Sequence, residues 1–136
     1  MAQIVTIKRV SSPAPGSLND DIDFISKSLG YFSQRDKNDT AGRIFRLLVT
    51  ECCSDSEGLT SDDIGKRLNQ SRGSIVHHLN NFITTGLLVK ESNLYRLRSN
   101  SLQKCIDEIK EDINRIFKQM TKIAIEIDER LGNYYR

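Results

Sequence analysis

Apolar residues recur along the last part of the chain in alternating steps of four and three positions. The steps continue unbroken over eight residues, with no Gly or Pro before Gly132. This spacing places them on one side of an α-helix and is the a/d pattern of a coiled coil. The eight positions are Leu102, Ile106, Ile109, Ile113, Ile116, Met120, Ile123 and Ile127. The pattern predicts a helix of about 30 residues, roughly 45 Å long.

An apolar stripe of this length must be covered by another surface, and a small domain cannot cover all of it. We therefore expect the eight residues to form a dimer interface with a second copy of the chain. Phe117 and Ala124 would widen this contact toward the C-terminal end. The alternative is a helix that packs only within its own chain.

Four shorter helices precede the long helix in this interpretation. Apolar residues at helical spacing, preceded by capping residues, indicate their positions. We predict a first helix capped by Asn19 or Asp20, a second helix over 40–53, a third helix with Thr60 or Ser61 as its N-cap, and a fourth helix over 71–85. Gly65 is unfavourable inside the third helix, so we expect another group to approach its backbone closely.

A β-hairpin is predicted between the fourth helix and the long helix. Gly86 is a typical C-terminal cap, and two short strands joined by a polar turn at Asn93 follow it. Because strand side chains alternate, Tyr95 and Leu97 should face the core while Arg96 and Arg98 face outward.

The predicted fold class is mainly α with a small β-hairpin, in the order of a winged helix-turn-helix. Residues 1–18 are expected to form a flexible arm or linker, in which "QIVTIKRV" has the alternation of a short strand and "SSPAPGS" is a linker. Residues 19–100 would form the DNA-binding domain with its leading helix, and residues 101–136 the dimerisation helix.

Positive charge is concentrated in the centre of the chain. The net charge is only +2, but residues 66–98 hold six basic side chains against one acid, Glu91. A basic cluster in a nearly neutral protein indicates a localised surface for a polyanion. Charged residues make up 28% and apolar residues 38%, and no apolar run approaches a membrane span, so we expect a cytoplasmic protein without a membrane partner.

The three cysteines fit neither a disulfide framework nor a zinc-binding spacing. Cys52 and Cys53 are adjacent and Cys105 stands alone. We interpret them as small buried or half-buried residues; a redox switch is the alternative. No cofactor is predicted.

The fourth helix has one face suited to the major groove of DNA. Ile75, Leu79, Phe82 and Ile83 share one side, and the opposite side is small, polar and free of acids. Arg72 at its start would reach a guanine edge or a phosphate, and the basic residues of the hairpin, over 87–98, would reach the neighbouring backbone or the minor groove. The predicted DNA-binding residues are Ser71, Arg72, Gly73, Ser74, Val76, His77, Asn80, Lys90, Arg96 and Arg98.

His77 and His78 are the only two histidines of the chain. Adjacent helical positions point about 100° apart, which disfavours a shared metal or catalytic site. His77 suits a groove or solvent position, whereas His78 is expected to be partly buried and bonded to a backbone group.

The segment "SRGSIVHHLNNFITTGLLVK" resembles the recognition helix of ArsR-like winged-helix regulators. The resemblance lies in the Ser, the His-His-Leu and the Gly-Leu before the wing, and it extends over residues 41–98. Upstream, "LGYFSQRDKNDTAGRIFRLLV" is similar to archaeal members that place a helix before the domain.

This resemblance implies a winged-helix fold, double-stranded DNA as partner and a homodimer held by terminal helices. Arg72, Ser74, Val76 and His77 fall where the family contacts DNA, although Val76 replaces a commoner small polar residue. The family's metal sensors often carry a thiolate pair on the first helix of the helix-turn-helix, where this chain has "SDDIGKRL" and no cysteine.

The sequence thus predicts a homodimeric transcription regulator that binds specific double-stranded DNA, in the manner of a repressor that occupies a promoter. The alternatives are a winged-helix module for protein–protein interaction and a nonspecific, chromatin-type DNA binder. An enzyme is disfavoured, because the sequence contains no nucleophile–base pair or Gly-rich phosphate loop. The target gene, the operator and any small-molecule effector are not indicated.

Overall fold

A computed structural model describes residues 3–31, 36, 38–51 and 57–132 of the chain. Within them it is mainly helical, with a two-stranded antiparallel hairpin and a long C-terminal helix, as predicted. In chain order the elements are α1 (Leu18–Ser28), α2 (Thr40–Glu51), α3 (Ser61–Leu68), α4 (Arg72–Thr85), β1 (Leu88–Glu91), β2 (Leu94–Leu97) and α5 (Leu102–Leu131). Cys52 and Cys53, predicted at the end of the second helix, lie outside the described residues.

Hydroxyl side chains cap four of the helices at their N-termini. The Thr60 side chain accepts the amide of Asp63, as expected, and Ser71 and Ser101 cap α4 and α5 in the same way. The prediction for α1 was wrong by two or three residues, because Ser17 is its cap and accepts the amide of Asp20. Asp20 instead lies in the first turn, where its charge suits the helix dipole.

The core lies between α1–α4 and the hairpin. Helix α4 contributes its predicted inner face, and Phe82 is in edge-to-face contact with Tyr31 at a centroid distance of 4.3 Å. The largest fully buried side chains are Phe45, Phe82, Ile44, Leu48, Ile64, Ile75, Leu79, Leu87, Leu97 and Cys105. Cys105 is therefore a buried small residue, which agrees with the simpler interpretation of this cysteine.

The hairpin pairs Leu88 with Leu97 and Glu91 with Leu94 in antiparallel register. The segment before α3 joins it: the Leu59 amide donates to the Tyr95 carbonyl at 3.0 Å and the Tyr95 amide donates to Leu59 at 2.8 Å. Gly58 makes this approach possible, since it has φ +101° and an added Cβ would lie 2.6 Å from the Tyr95 oxygen. The segment leading into α3 is therefore fixed against the second strand.

The prediction of a strand near the N-terminus was wrong. Residues 3–14 form neither helix nor strand, and they lie as an extended segment against α4 and α1. The Ile4 amide donates to the Thr84 carbonyl at 3.1 Å, and the Lys8 amide donates to the Ser28 carbonyl at 2.8 Å. Val5 packs on the core between these two contacts. Apolar and polar residues alternate in this segment, but its backbone forms only isolated hydrogen bonds to the ends of α4 and α1 and does not pair with a strand.

Helix α5 divides into two parts with different surroundings. Its first part packs on the domain: Cys105 and Ile109 are buried, and Leu102 and Ile113 lie against the core. Ile109 is only 3% exposed in its own chain, so the expectation that all eight stripe residues face a partner needs correction. Beyond Ile113 the apolar side chains are exposed. We call this set the distal stripe: Ile116, Phe117, Met120, Ile123, Ile127 and Leu131.

Candidate nucleic-acid interface

A tight turn fixes the angle between α3 and α4. Asn69 adopts a left-handed conformation with φ 53° and ends α3, and the Gln70 amide donates to the Gly65 carbonyl at 3.0 Å. An added Cβ on Gly65 would lie 3.1 Å from the Gln70 carbonyl oxygen. The predicted close approach at Gly65 is thus the backbone of this turn.

Helix α4 presents opposite faces to the core and to solvent. Ile75 and Leu79 are fully buried, whereas His77 and Asn80 are exposed. Ser74 and Val76 are half-buried at the margins of the exposed face. Gly73 is exposed, and nothing lies within 4 Å of an ideal Cβ built on it. The outer face of α4 is therefore open to solvent at Gly73, His77 and Asn80 and partly covered at Ser74 and Val76.

The N-terminal end of α4 carries an exposed guanidinium. Arg72 begins the helix with 76% of its side chain exposed, and its nearest carboxylate is Asp62 at 4.0 Å. Asp62 is itself 67% exposed, so solvent screens this pair and it holds Arg72 only weakly. Ser71 adds a hydroxyl beside it, whose oxygen accepts the Ser74 amide at 3.3 Å.

Lys90 and Arg96 of the hairpin differ in exposure. Lys90 is exposed, and its ammonium lies 5.5 Å from the Tyr95 ring centroid. Arg96 pairs with Glu91 at 2.6 Å and is 34% exposed. The hairpin therefore contributes one exposed ammonium and one partly neutralised guanidinium.

Arg98 does not face solvent as the alternation of strand side chains had suggested. Its guanidinium lies 2.6 Å from an Asp112 oxygen and 2.8 Å from a Glu108 oxygen, and 26% of the side chain is exposed. These hydrogen bonds raise the pKa of Arg98 and lower the pKa of Asp112 to about 2. Arg98 is thus held at the junction between the hairpin and α5.

Gln3 completes this junction from the N-terminal segment. Its side-chain amide donates to the Thr85 carbonyl and to an Asp112 oxygen, both at 3.0 Å. Asp112 also accepts from Arg115 one turn along α5. The end of α4, the end of the hairpin, α5 and the N-terminal segment thus meet at one buried carboxylate.

The two histidines differ in environment as predicted, but His78 has an unexpected neighbour. Its Nε2 atom lies 3.9 Å from the Oδ2 atom of Asp36. The Asp36 carboxylate accepts the Thr40 amide at Oδ1 and the Ala41 amide at Oδ2, both at 2.9 Å. Burial lowers the pKa of His78, and the Asp36 charge opposes this effect. The pKa of Asp36 is lowered by hydrogen bonds from the start of α2 and by His78, which outweigh the opposing effect of burial. This pair links the inner edge of α4 to α2.

Sequence reasoning missed the Leu59–Tyr95 bridge, Gln3 and Asp36. A single bridging residue gives no periodic signal. The partners of Gln3, Thr85 and Asp112, lie 82 and 109 positions away in the sequence. Asp36 pairs with His78, 42 positions away, and with the backbone amides of Thr40 and Ala41. Among the described residues, no cluster of three or more His, Cys, Asp or Glu side chains is arranged to hold a metal ion. In the same part of the chain, every helix is too short or too polar to cross a membrane.

Comparison with protein-family models, with curated proteins and with solved structures finds no match to this chain.

Proposed function

We propose that α3, α4 and the hairpin form a winged helix-turn-helix that binds double-stranded DNA, and that the chain acts as a homodimeric transcription regulator. The observation that carries the proposal is the outer face of α4, which is exposed, contains no acid and begins with Arg72. A helix with such a face enters a major groove about 12 Å wide without repelling phosphates.

Several side chains on this face have the chemistry of base recognition. Arg72 suits the O6 and N7 acceptors of guanine, and Asn80 suits the N6 and N7 atoms of adenine. Val76 offers a methyl surface to thymine, and His77 adds a polar contact beside it. The resemblance of "SRGSIVHHLNNFITTGLLVK" to ArsR-like regulators supports the same positions for DNA contact.

The charges of the structure limit the number of phosphate contacts. Arg67 is paired with Glu51, Arg96 with Glu91, and Arg98 with two carboxylates, whereas Lys66, Arg72 and Lys90 are exposed. If each copy neutralises about three phosphates, the slope of log K against log salt for a dimer is about −5. Electrostatic attraction then positions the protein, and α4 supplies the sequence preference.

The test is fluorescence-anisotropy binding of the full chain to a duplex taken from the region upstream of its own gene, across a salt series. A scrambled duplex of the same composition is the control. Tighter binding to the upstream duplex with a steep salt slope supports a regulator that controls its own promoter by occupying it. Equal binding to both duplexes calls for site selection from a random pool. Absence of binding to any duplex contradicts the proposal and favours a protein–protein interaction module.

A further inference from the structure

The apolar stripe of α5 is continuous, but two different surfaces must cover it. Its first part, which includes Ile109 and Ile113, lies against the chain's own domain. The distal stripe continues on the same side of the helix, because the four-and-three spacing is unbroken from Leu102 to Ile127. Six large apolar side chains there are between 47% and 66% exposed.

We propose that the distal stripe packs against the distal stripe of a second copy in antiparallel orientation. This inference rests on the homodimer of the proposed function and specifies the relative orientation of its two copies. It does not depend on DNA binding. In an antiparallel pair each a position packs opposite a d position of the other helix. Ile116 then lies opposite Ile127 of the second copy, and Met120 lies opposite Ile123 of the second copy. The twofold axis then passes between Thr121 and Lys122.

The position of the chain's own domain disfavours the parallel alternative. In a parallel pair the two stripes would face each other along their whole length. Each domain already covers the stripe side of α5 up to Ile113, as the burial of Cys105 and Ile109 shows. It would therefore occupy the space that the first part of the other copy's helix requires. In an antiparallel pair the second helix ends where this domain begins.

The length of α5 fits this arrangement. With the twofold axis between Thr121 and Lys122, Arg130 of the second copy lies opposite Ile113. Helix α5 ends at Leu131, so the second helix covers the distal stripe and stops beside the domain. Twelve half-exposed large side chains from two copies give an apolar area comparable with the lower limit of about 1,200 Å² for specific interfaces.

Charge is distributed along the distal part of α5 in a way that favours the same orientation. Residues 114–124 carry three basic side chains and no acid, and residues 125–132 carry three acids and one base. Antiparallel packing places the positive half of each helix beside the negative half of the other. Parallel packing would bring like charges together, at a cost that salt reduces.

The test is disulfide cross-linking of two single-cysteine variants in the full chain. Cys52, Cys53 and Cys105 are replaced by Ser, Ser and Ala, and either Ile116→Cys or Ile127→Cys is added. One variant carries a mass tag, so that mixed dimers are distinguishable. Both new positions are exposed in the single chain, at 48% and 50%, so neither substitution removes a core contact. Circular dichroism of the background confirms that it remains folded.

The antiparallel arrangement predicts cross-linking in the mixture of the two variants and none in either variant alone. Cross-linking of each variant with itself would establish parallel pairing and overturn the inference. A dimer mass without any cross-link would overturn this register, and a monomer mass would overturn the dimer itself. Duplex binding by the same proteins is measured in parallel, so that failure of the arrangement and failure of the DNA-binding proposal are distinguished.

Discussion

The guanidinium of Arg98 lies 2.6 Å from the carboxylate of Asp112, and this contact joins the end of the hairpin to α5. The same carboxylate accepts a hydrogen bond from Gln3, whose amide also donates to the end of α4. The relative position of the candidate DNA-binding helix and the long helix therefore depends on one buried acid.

Asp112→Asn should lower the free energy of unfolding by about 2 kcal/mol at pH 7, because the ionised carboxylate is stabilised in the folded state. Since the pKa of Asp112 is lowered to about 2, its contribution is complete above the unfolded value near 4 and is lost as the pH falls toward 2. Urea denaturation at pH 7 and at pH 2 measures the difference. Asp107→Asn, at an exposed position of the same helix, is the control. Equal stability of the variant and the parent at pH 7 would show that the junction does not stabilise the fold.

Gly58→Ala should destabilise the chain by roughly 1–3 kcal/mol, because the new Cβ meets the Tyr95 carbonyl in a left-handed conformation. The matched control is Gly73→Ala, where nothing lies within 4 Å of the ideal Cβ. This second change removes a helix-disfavouring residue and should leave stability unchanged or raise it by up to ~1 kcal/mol. Thermal unfolding followed by circular dichroism compares the two variants. Similar melting temperatures would mean that the Leu59–Tyr95 bridge is unimportant for stability.

Ile116→Asp should convert the proposed dimer to a monomer, because it places two charges, one from each copy, within an apolar interface. Ile125→Asp is the matched control: Ile125 is also about half exposed, at 53% against 48%, but lies nine positions away. At about 100° per residue, this spacing places it on the opposite side of α5. Sedimentation velocity should give a monomer for the first variant and a dimer for the second. The same mass for both would refute the role of the distal stripe.

Arg72→Ala should weaken binding to the preferred duplex by about 1–3 kcal/mol and relax the preference at one base pair. Lys90→Ala should weaken binding to all duplexes alike and reduce the steepness of the salt dependence by about one per substituted site. Anisotropy titrations on the preferred and scrambled duplexes separate the two effects. Equal losses for Arg72→Ala on both duplexes would assign Arg72 to phosphate contact alone.

The sequence predicted those elements whose side chains repeat with a regular period. The inner face of α4, including Ile75 and Leu79, follows the helical period, and both residues are fully buried. Tyr95 and Leu97 follow the strand period and are also buried. A short segment such as "QIVTIKRV" shows similar alternation without any strand to pair with, which is why its prediction failed.

Periodic patterns in the sequence could not predict contacts between residues that are far apart along the chain. Alternation predicted that Arg98 faces solvent, but it cannot show that α5 brings Glu108 and Asp112 against the Arg98 side chain. The spacing of the stripe likewise did not reveal that Ile109 packs in its own chain while Ile116 remains exposed. In each case the deciding factor is the tertiary position of another element.

Because α5 is uninterrupted, its length determines the distance between the two domains in the proposed antiparallel pair. Each residue adds about 1.5 Å to the helix, so an insertion of seven residues in the distal part would move the two domains about 10 Å further apart. Such an insertion preserves the a/d spacing, whereas an insertion of one or two residues would rotate the stripe away from its partner. At about 3.4 Å per base pair, one added heptad corresponds to about three base pairs of DNA. In the proposed dimer, the number of heptads in α5 would therefore set the distance between the two DNA half-sites.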